Sequence, residues 1–299
     1  MSWAGKKVLI TGAKGFVGRY LTDALLMEGA EIIGLSVEGD TPGKNDIKWM
    51  VGDIAKAASL DGICKDVDLV YHLAAISNVD ASIRNPLRTI ETNTMGTANL
   101  LEEARKSGVK KFVYVSSAHV YGVPQYLPID EKHPLVPREA YAASKIAAEN
   151  IVQAYGNSYG IKHAILRPFN MFGPGQDTSF LIPGVIDQAL KNRIIKVGNT
   201  DPTRDFLYID DAIKAFLIVG EKGTGIFNIG SGKETKIADL VTMIRDAIDP
   251  SIEIVSADER KRAGKVEIPR LCADTGNIKR IGWSTTITLP EGIKKTICK

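Results

Sequence analysis

Cysteine is scarce in this sequence: 299 residues hold three, at 64, 272 and 298. None forms a CxxC pair, so the pattern argues against a disulfide framework. The four histidines, at 72, 119, 133 and 163, show no metal-ligand spacing, and no structural metal is expected. No apolar run approaches the roughly 18 residues that a membrane span needs. Val8-Leu9-Ile10 reads as a strand leading into a glycine loop, not as a secretory signal. These absences lead us to expect a reduced, cytoplasmic protein with no membrane partner. Charge of one sign is also lacking. A net +3 from 38 basic and 35 acidic residues is too small to argue for nucleic acid. The densest basic run, Arg260-Lys261-Arg262 with Lys265, is broken by Ala263 and Gly264. A solvated loop explains it, with an anion clamp as the alternative. No internal repeat or low-complexity linker is visible.

What is present is ordinary globular composition, 44% hydrophobic and 24% charged, with chain enough for a well-filled core. Residues 7–11 read as a short apolar strand. TGAKGFVG follows at 11–18, and 19–28 has helical periodicity. Gly12, Gly15 and Gly18 fall at GxxGxxG spacing. That spacing suits a tight strand-to-helix turn, close backbone approach to a pyrophosphate, and a helix N-terminus to bind it. Further strands are expected at 31–35, 47–51, 69–73, 111–116 and 163–167, with helical runs at 86–106 and 141–159. This alternation predicts an α/β fold, a Rossmann-type doubly wound parallel sheet.

Several positions along that sheet carry candidate chemistry. In dinucleotide folds an acidic residue ends the second strand. Here that place falls at Ser36, with Glu38 two residues on. No Arg or Lys stands at 36–40 to meet a 2′-phosphate, and Lys44 is further along. NAD and NADP therefore both stay open. Asp53, after the third strand, can accept from an adenine amino group or N-cap the turn at 55–60; the roles are compatible. Small Ala74 and Ala75 leave room for a cofactor. Asn93 lies inside a helical run, where a polar residue is more often a satisfied structural group than a catalyst. Ser117 ends the fifth strand, where open α/β sheets place chemistry, and its hydroxyl can bond a reacting oxygen.

YAASK, at 141–145, then opens a helix. A spacing of four puts the Tyr141 phenol and the Lys145 ammonium on one face. A neighbouring ammonium is expected to lower the phenol's pKa from about 10. That is the acid/base device needed to take a proton from a hydroxyl while hydride leaves its carbon. Past Gly175 the composition shifts. Helices are expected at 182–191, 237–248 and 290–296, and strands at 194–197, 225–229 and 252–255. This smaller C-terminal α/β region is expected to act as a lid over the cofactor.

Taken in order, TGAKGFVG, HLAA (72–75), SSAHVYG (116–122), YAASK, RPFNMFGPGQ (167–176), TRDFLYIDDA (203–212) and FNIGSG (227–232) resemble an extended short-chain dehydrogenase/reductase. More narrowly, the chain resembles the nucleotide-sugar epimerase/dehydratase/reductase family over nearly its whole length. The resemblance implies NAD or NADP as cofactor, a nucleotide sugar as substrate, and a homodimer formed through the helices carrying Asn93 and Tyr141. It implies a Rossmann domain at 1–170, joined again by about 203–230, and a mainly substrate-binding region at 171–299. Ser117, Tyr141 and Lys145 would be the catalytic triad. Cofactor binding would fall to Gly12, Gly15, Phe16, Val17, Gly18, Ser36, Asp53, Ile54, Leu73, Ala74, Ala75, Ser77, Asn93, Ser116, Tyr141, Lys145, Pro168 and Phe169. Substrate binding would fall to Ser117, His119, Asn170, Arg204 and Arg270, with Arg204 on the diphosphate. A surface salt bridge to Asp205 or Asp201 is the plainer reading of Arg204.

The reaction is read from departures. The 4,6-dehydratases carry acidic residues just after the position of Ser117, and here Ala118 and His119 stand there. That counts against dehydration. His119 is either an alternative acid/base or a hydrogen-bonded, non-catalytic side chain. The segments around 173–182, 194–206 and 266–271 look most like GDP-4-keto-6-deoxymannose reductases and their GDP-mannose dehydratase relatives, which places the reduction first and keeps GDP-mannose 4,6-dehydration as a less favoured reading. SSAHVYG looks closer to UDP-hexose 4-epimerases, the alternative. A dinucleotide-binding sensor without catalysis is the remote reading.

Overall fold

Parallel strands buried on both faces read as continuous apolar runs, and four of the five residues of KVLIT are buried in β1 (Lys7–Thr11). The computed structural model describes residues 3–37, 46–257 and 267–298. Glu38, Lys44 and the basic run at 260–265 lie outside the described residues. After β1 come α1 (Phe16–Met27), β2 (Glu31–Ser36), β3 (Ile47–Val51), a 3₁₀ turn (Ala57–Leu60) and β4 (Leu69–His72). Next are α2 (Val79–Arg84), α3 (Pro86–Ile90), a π turn (Glu91–Met95) and α4 (Gly96–Lys106). β5 (Lys111–Val115), a second 3₁₀ turn (Ala118–Tyr121), α5 (Ala140–Tyr159) and β6 (Lys162–Pro168) follow. The remainder comprises β7 (Asn170–Phe172), α6 (Leu181–Asn192), β8 (Ile194–Val197), β9 (Thr203–Tyr208), α7 (Ile209–Lys222), β10 (Gly225–Ile229), β11 (Glu234–Lys236), α8 (Ile237–Ile248), β12 (Glu253–Ser256), α9 (Gly276–Arg280) and α10 (Leu289–Ile297).

The main sheet has seven strands in the order β10-β6-β5-β4-β1-β2-β3. The chain runs outward from β1 to β3, then returns to lay β4 on the other side of β1. The reversal opens a crevice at the carboxyl ends of β1 and β4, where such sheets bind ligands. Thr11 and His72 face each other there in register. One face of the sheet carries a core that includes Leu9, Val70, Leu100, Phe112, Val152 and Ile165. On β4, Tyr71 donates its hydroxyl to the Phe216 carbonyl at 2.8 Å.

The chain divides into two compact units. One is Met1–Gly122, Leu135–Arg167 and Ile213–Phe227; the other is Val123–Pro134, Pro168–Ala212 and Asn228–Lys299. The return to the first unit begins at Ile213 and not near 203, because β9 belongs to a three-stranded sheet, β11-β9-β7, in the second. Residues 123–134 also leave the first unit. Ile129 N–H donates to Cys272 O, and its own carbonyl accepts from Asp274 N–H, both at 2.8 Å. Within the second unit the buried carboxylate of Asp205 accepts from Ser231 N and Oγ, Gly232 N and Ala273 N at 2.6–3.1 Å, pinning the GSG loop.

Two local expectations are corrected. The helical run at 86–106 is interrupted by the π turn around Asn93. Its side chain turns inward, accepting from Ile76 N at 2.8 Å and donating to Ile76 O and Ser144 Oγ at 3.1 and 3.0 Å. Asp53 does not cap the turn after β3, whose N-cap is Lys56. Its Oδ1 instead accepts from Ala55 N, two residues on, at 3.0 Å, a local Asx turn.

Candidate functional site

The turn after β1 is closed by its own backbone. Gly15 N–H donates to Gly12 O at 2.9 Å. Gly12 sits at φ +71°, and a Cβ there would stand 2.9 Å from Ala74 N. A Cβ on Gly18 would stand 2.1 Å from Gly12 O. Helix α1 starts at Phe16 with Gly15 as N-cap, no side-chain cap and no acidic residue in its first turn. Its first N–H groups and the positive end of its dipole thus fit the pyrophosphate of a dinucleotide. Val17 lies in that first turn. Ser36 ends β2, Asp53 and buried Ile54 follow β3, and half-buried Leu73, Ala74 and Ala75 follow β4, with Ser77 exposed beyond them. These residues line the carboxyl edge of the sheet in one unit.

A row of hydrogen bonds joins this edge to α5. Ala74 N–H donates to Thr11 Oγ1 at 3.1 Å, and Thr11 Oγ1 bonds His72 Nδ1 at 2.7 Å. His72 Nε2 bonds Thr97 Oγ1 at 3.0 Å, and that hydroxyl donates to Asn93 O at 2.6 Å. Asn93 Nδ2 donates to Ser144 Oγ, which donates to Tyr141 O at 2.7 Å. The partners assign His72 the Nε2–H tautomer. Burial, followed by the charge of Lys145, pulls its pKa down to about 3, so it is neutral.

At the end of β5 the three candidate catalytic residues come together. Ser117, Tyr141 and Lys145 are 7%, 7% and 3% exposed. Ser117 N-caps the 3₁₀ turn, its Oγ accepting from His119 N at 3.2 Å. Lys145 Nζ donates to Val115 O at 2.7 Å and lies 5.9 Å from the centre of the Tyr141 ring. Helix α5 is held by a buried pair: Arg167 donates to Glu149 at 3.0 and 2.6 Å and to Tyr121 at 2.9 Å. The Ser116 Oγ beside the triad is buried with no hydrogen-bond partner among the described residues, a polar atom left for a ligand to satisfy.

The expected lowering of the Tyr141 pKa by Lys145 is not what this pocket produces. Burial pushes the phenol up to about 12, with a hydrogen bond from Ser117 opposing it. Burial also pulls Lys145 down to about 7, with Glu149 opposing. Desolvation acts against both charged forms and is the largest cause of each shift. Between pH 7 and 10.5, the folded and free values, the unfolded chain binds a proton at Lys145 that the folded chain does not. Stability therefore gains with rising pH across that window. In Lys145→Met the rise should be shallower, as denaturant melts near the two ends of the window would show; an equal rise in both proteins contradicts it.

Sequence reasoning missed Thr97, Ser144 and Glu139. Glu139 caps α5 by accepting from Ala142 N at 2.9 Å. A polar residue just before the helical run was the available signal. The remaining predicted residues lie in the second unit. Pro168 ends β6, buried Phe169 donates its N–H to Ile229 O at 2.8 Å, and Asn170 opens β7 opposite Phe206 on β9. Half-buried Arg204 donates to Thr203 O at 2.8 Å. Asp205 is committed to its loop, and Asp201 pairs with Lys236 at 3.1 Å. Exposed Arg270 makes a bidentate pair with Glu234 at 2.7 and 2.6 Å, so an anion reaching Arg270 competes with that carboxylate.

Residues 8–230 match the model of the NAD dependent epimerase/dehydratase family. The chain belongs to that family. A putative UDP-glucose 4-epimerase of Methanocaldococcus jannaschii is 37% identical over 97% of both chains. The GDP-6-deoxy-D-mannose reductase of Pseudomonas aeruginosa is 32% identical over 97% of this chain and 95% of its own. The structure of RMD from Pseudomonas aeruginosa, complexed with NADPH, superposes with a TM-score of 0.85 at 31% identity over 98% of each chain. The expected fold, the family resemblance, enzyme character and NAD(P) dependence are thereby borne out. Among the described residues no helix of this epimerase/dehydratase family member is long and apolar enough to cross a membrane.

Proposed function

We propose that this enzyme carries out redox chemistry at C4 of a nucleotide-linked hexose, with 4-epimerisation as the leading reading. The carrying observation is the buried Tyr141 phenol, bonded by Ser117 and one helical turn from Lys145, at the crevice edge that also holds the glycine turn. Tyr141 takes the proton of the sugar hydroxyl and later returns it. Ser117 orients the same oxygen, and Lys145 holds the ribose next to the nicotinamide. The dinucleotide, when bound, supplies the hydride acceptor and donor. Gly12, Gly15, Phe16, Val17 and Gly18 receive its pyrophosphate. Ser36, Asp53 and Ile54 serve the adenosine side. Leu73, Ala74, Ala75, Ser77, Asn93, Ser116, Pro168 and Phe169 complete the cofactor set. Ala118 and His119 in place of acidic residues speak against dehydration.

Higher identity to the epimerase relative over the same share of chain supports epimerisation over the reduction expected from the C-terminal motifs. Reduction of a 4-keto-6-deoxy nucleotide sugar is the second reading, favoured by those motifs. Denaturing the purified protein and identifying what it releases separates the two. Retained NAD with interconversion of UDP-hexoses supports the epimerase. An empty protein that consumes added NADPH or NADH with a 4-keto sugar overturns it in favour of the reductase.

Asn170, Arg204 and Arg270 are proposed to receive the nucleotide sugar. Arg204→Ala should raise KM for that substrate about tenfold or more, the size of a lost charge-assisted bond, with kcat nearly unchanged. An unaltered KM removes Arg204 from the diphosphate. A homodimer is supported by exposed Ile83, Leu87, Ile90 and Met95 on α2, α3 and the π turn, and light scattering checks it. The three free cysteines support a reducing, cytoplasmic setting.

A further inference from the structure

Glutamate is a poor choice for helix capping alone, since Ser, Thr, Asp and Asn reach the first-turn N–H groups with shorter side chains. Glu139 caps α5 with only one oxygen, Oε2. The other, Oε1, is buried without a hydrogen bond of normal geometry among the described residues. It stands 3.4 Å from His119 Nδ1, on a side chain 4% exposed against 25% for His119. A buried carboxylate oxygen is costly unless a donor answers it. The His119 imidazole is placed to answer it. His119 in turn packs edge-on against Tyr141, with ring centres 6.0 Å apart at 66°. Its backbone N–H is fixed by Ser117 Oγ at 3.2 Å.

We propose that Glu139 is a positioning residue that orients His119 as the proton carrier between Tyr141 and water. The role rests on the C4 redox reading and deepens it. Tyr141 is too buried to exchange its proton with solvent freely, whereas His119 is partly exposed. A carboxylate on Nδ1–H fixes the ring tautomer and leaves Nε2 to do the exchange. Before a hydroxyl is oxidised, Tyr141 gives its proton to neutral Nε2 and becomes phenolate, and the imidazolium releases a proton to water. After a carbonyl is reduced, Tyr141 has given its proton to the sugar oxygen. Imidazolium Nε2–H then restores the phenol and the imidazole takes a proton back from water. No electrons move in these steps.

Glu139→Ser separates the two tasks, because serine caps a helix and carries no second oxygen to His119. The variant is expected to keep the parent Tm and the parent affinity for NADH. Its kcat on whichever nucleotide sugar the parent converts should fall about tenfold or more, as loss of general acid–base assistance does, with KM little changed. Glu139→Asp should recover part of the loss. His119→Phe combined with Glu139→Ser should be no worse than His119→Phe alone. In ¹⁵N-histidine spectra, the parent should show His119 as the Nδ1–H tautomer and Glu139→Ser should lose that preference. A parent-like kcat, a loss that tracks Tm or NADH affinity, or an unchanged tautomer overturns the proposal. If the parent converts no nucleotide sugar, the C4 reading fails, while the tautomer result still judges the pairing of Glu139 with His119.

Discussion

Tyr141→Phe should lower turnover by about 10²–10⁴-fold, the range for a lost general acid/base, and leave dinucleotide affinity near the parent value. The ring is kept, so its packing against His119 and Lys145 survives and only the hydroxyl goes. That hydroxyl is the group Ser117 bonds. The loss should appear in kcat, since the proton moves in the transition state and not on binding. NADH fluorescence titration and steady-state rates check both halves. Turnover within tenfold of the parent removes Tyr141 from the chemistry, and a collapse of NADH affinity makes its role one of binding.

Gly18→Ala should abolish useful dinucleotide binding without unfolding the protein. The added Cβ would lie 2.1 Å from Gly12 O and 2.8 Å from Ala13 Cα. Both are backbone atoms, so no side chain can swing away and α1 must shift from the turn. Overpacking of this kind costs about 1–3 kcal/mol, which a domain this size survives. A shift of about 1 Å in the N–H groups that meet the pyrophosphate costs on the order of 10²-fold. Calorimetric titration with NAD and NADPH measures it, with far-UV circular dichroism as the folding control. Gly15→Ala is the milder comparison, because its Cβ would stand 3.1 Å from Gly12 O. Equal affinity in the parent and Gly18→Ala contradicts the close packing of turn and helix.

Much of the sheet was legible for a physical reason. β1 (Lys7–Thr11), β3 (Ile47–Val51) and β10 (Gly225–Ile229) fall where short apolar runs end in glycine or polar residues. The glycine spacing likewise announces a turn that tolerates no Cβ. What escaped depends on partners far along the chain. The π turn at Asn93 exists because Ile76 and Ser144 meet its side chain. The move of residues 123–134 into the second unit rests on the bonds of Ile129 to residues 272 and 274. For Tyr141 and Lys145, spacing conveyed proximity but not electrostatics, since burial acts on both groups. Glu139 looked like any polar residue before a helix until His119 was beside it.

The row of hydrogen bonds from Ala74 to Tyr141 has a direction. Each hydroxyl in it accepts from one neighbour and donates to the next, so no link reverses without orphaning two others. Thr11, His72, Thr97, Asn93 and Ser144 are buried at 1% exposure or less. Opening this row exposes the start of α5 and the crevice edge at once. Amide hydrogens at Ala74 and in the first turn of α5 should therefore exchange with solvent as one cooperative group. Their shared protection would make the cofactor edge and the catalytic helix a single foldon.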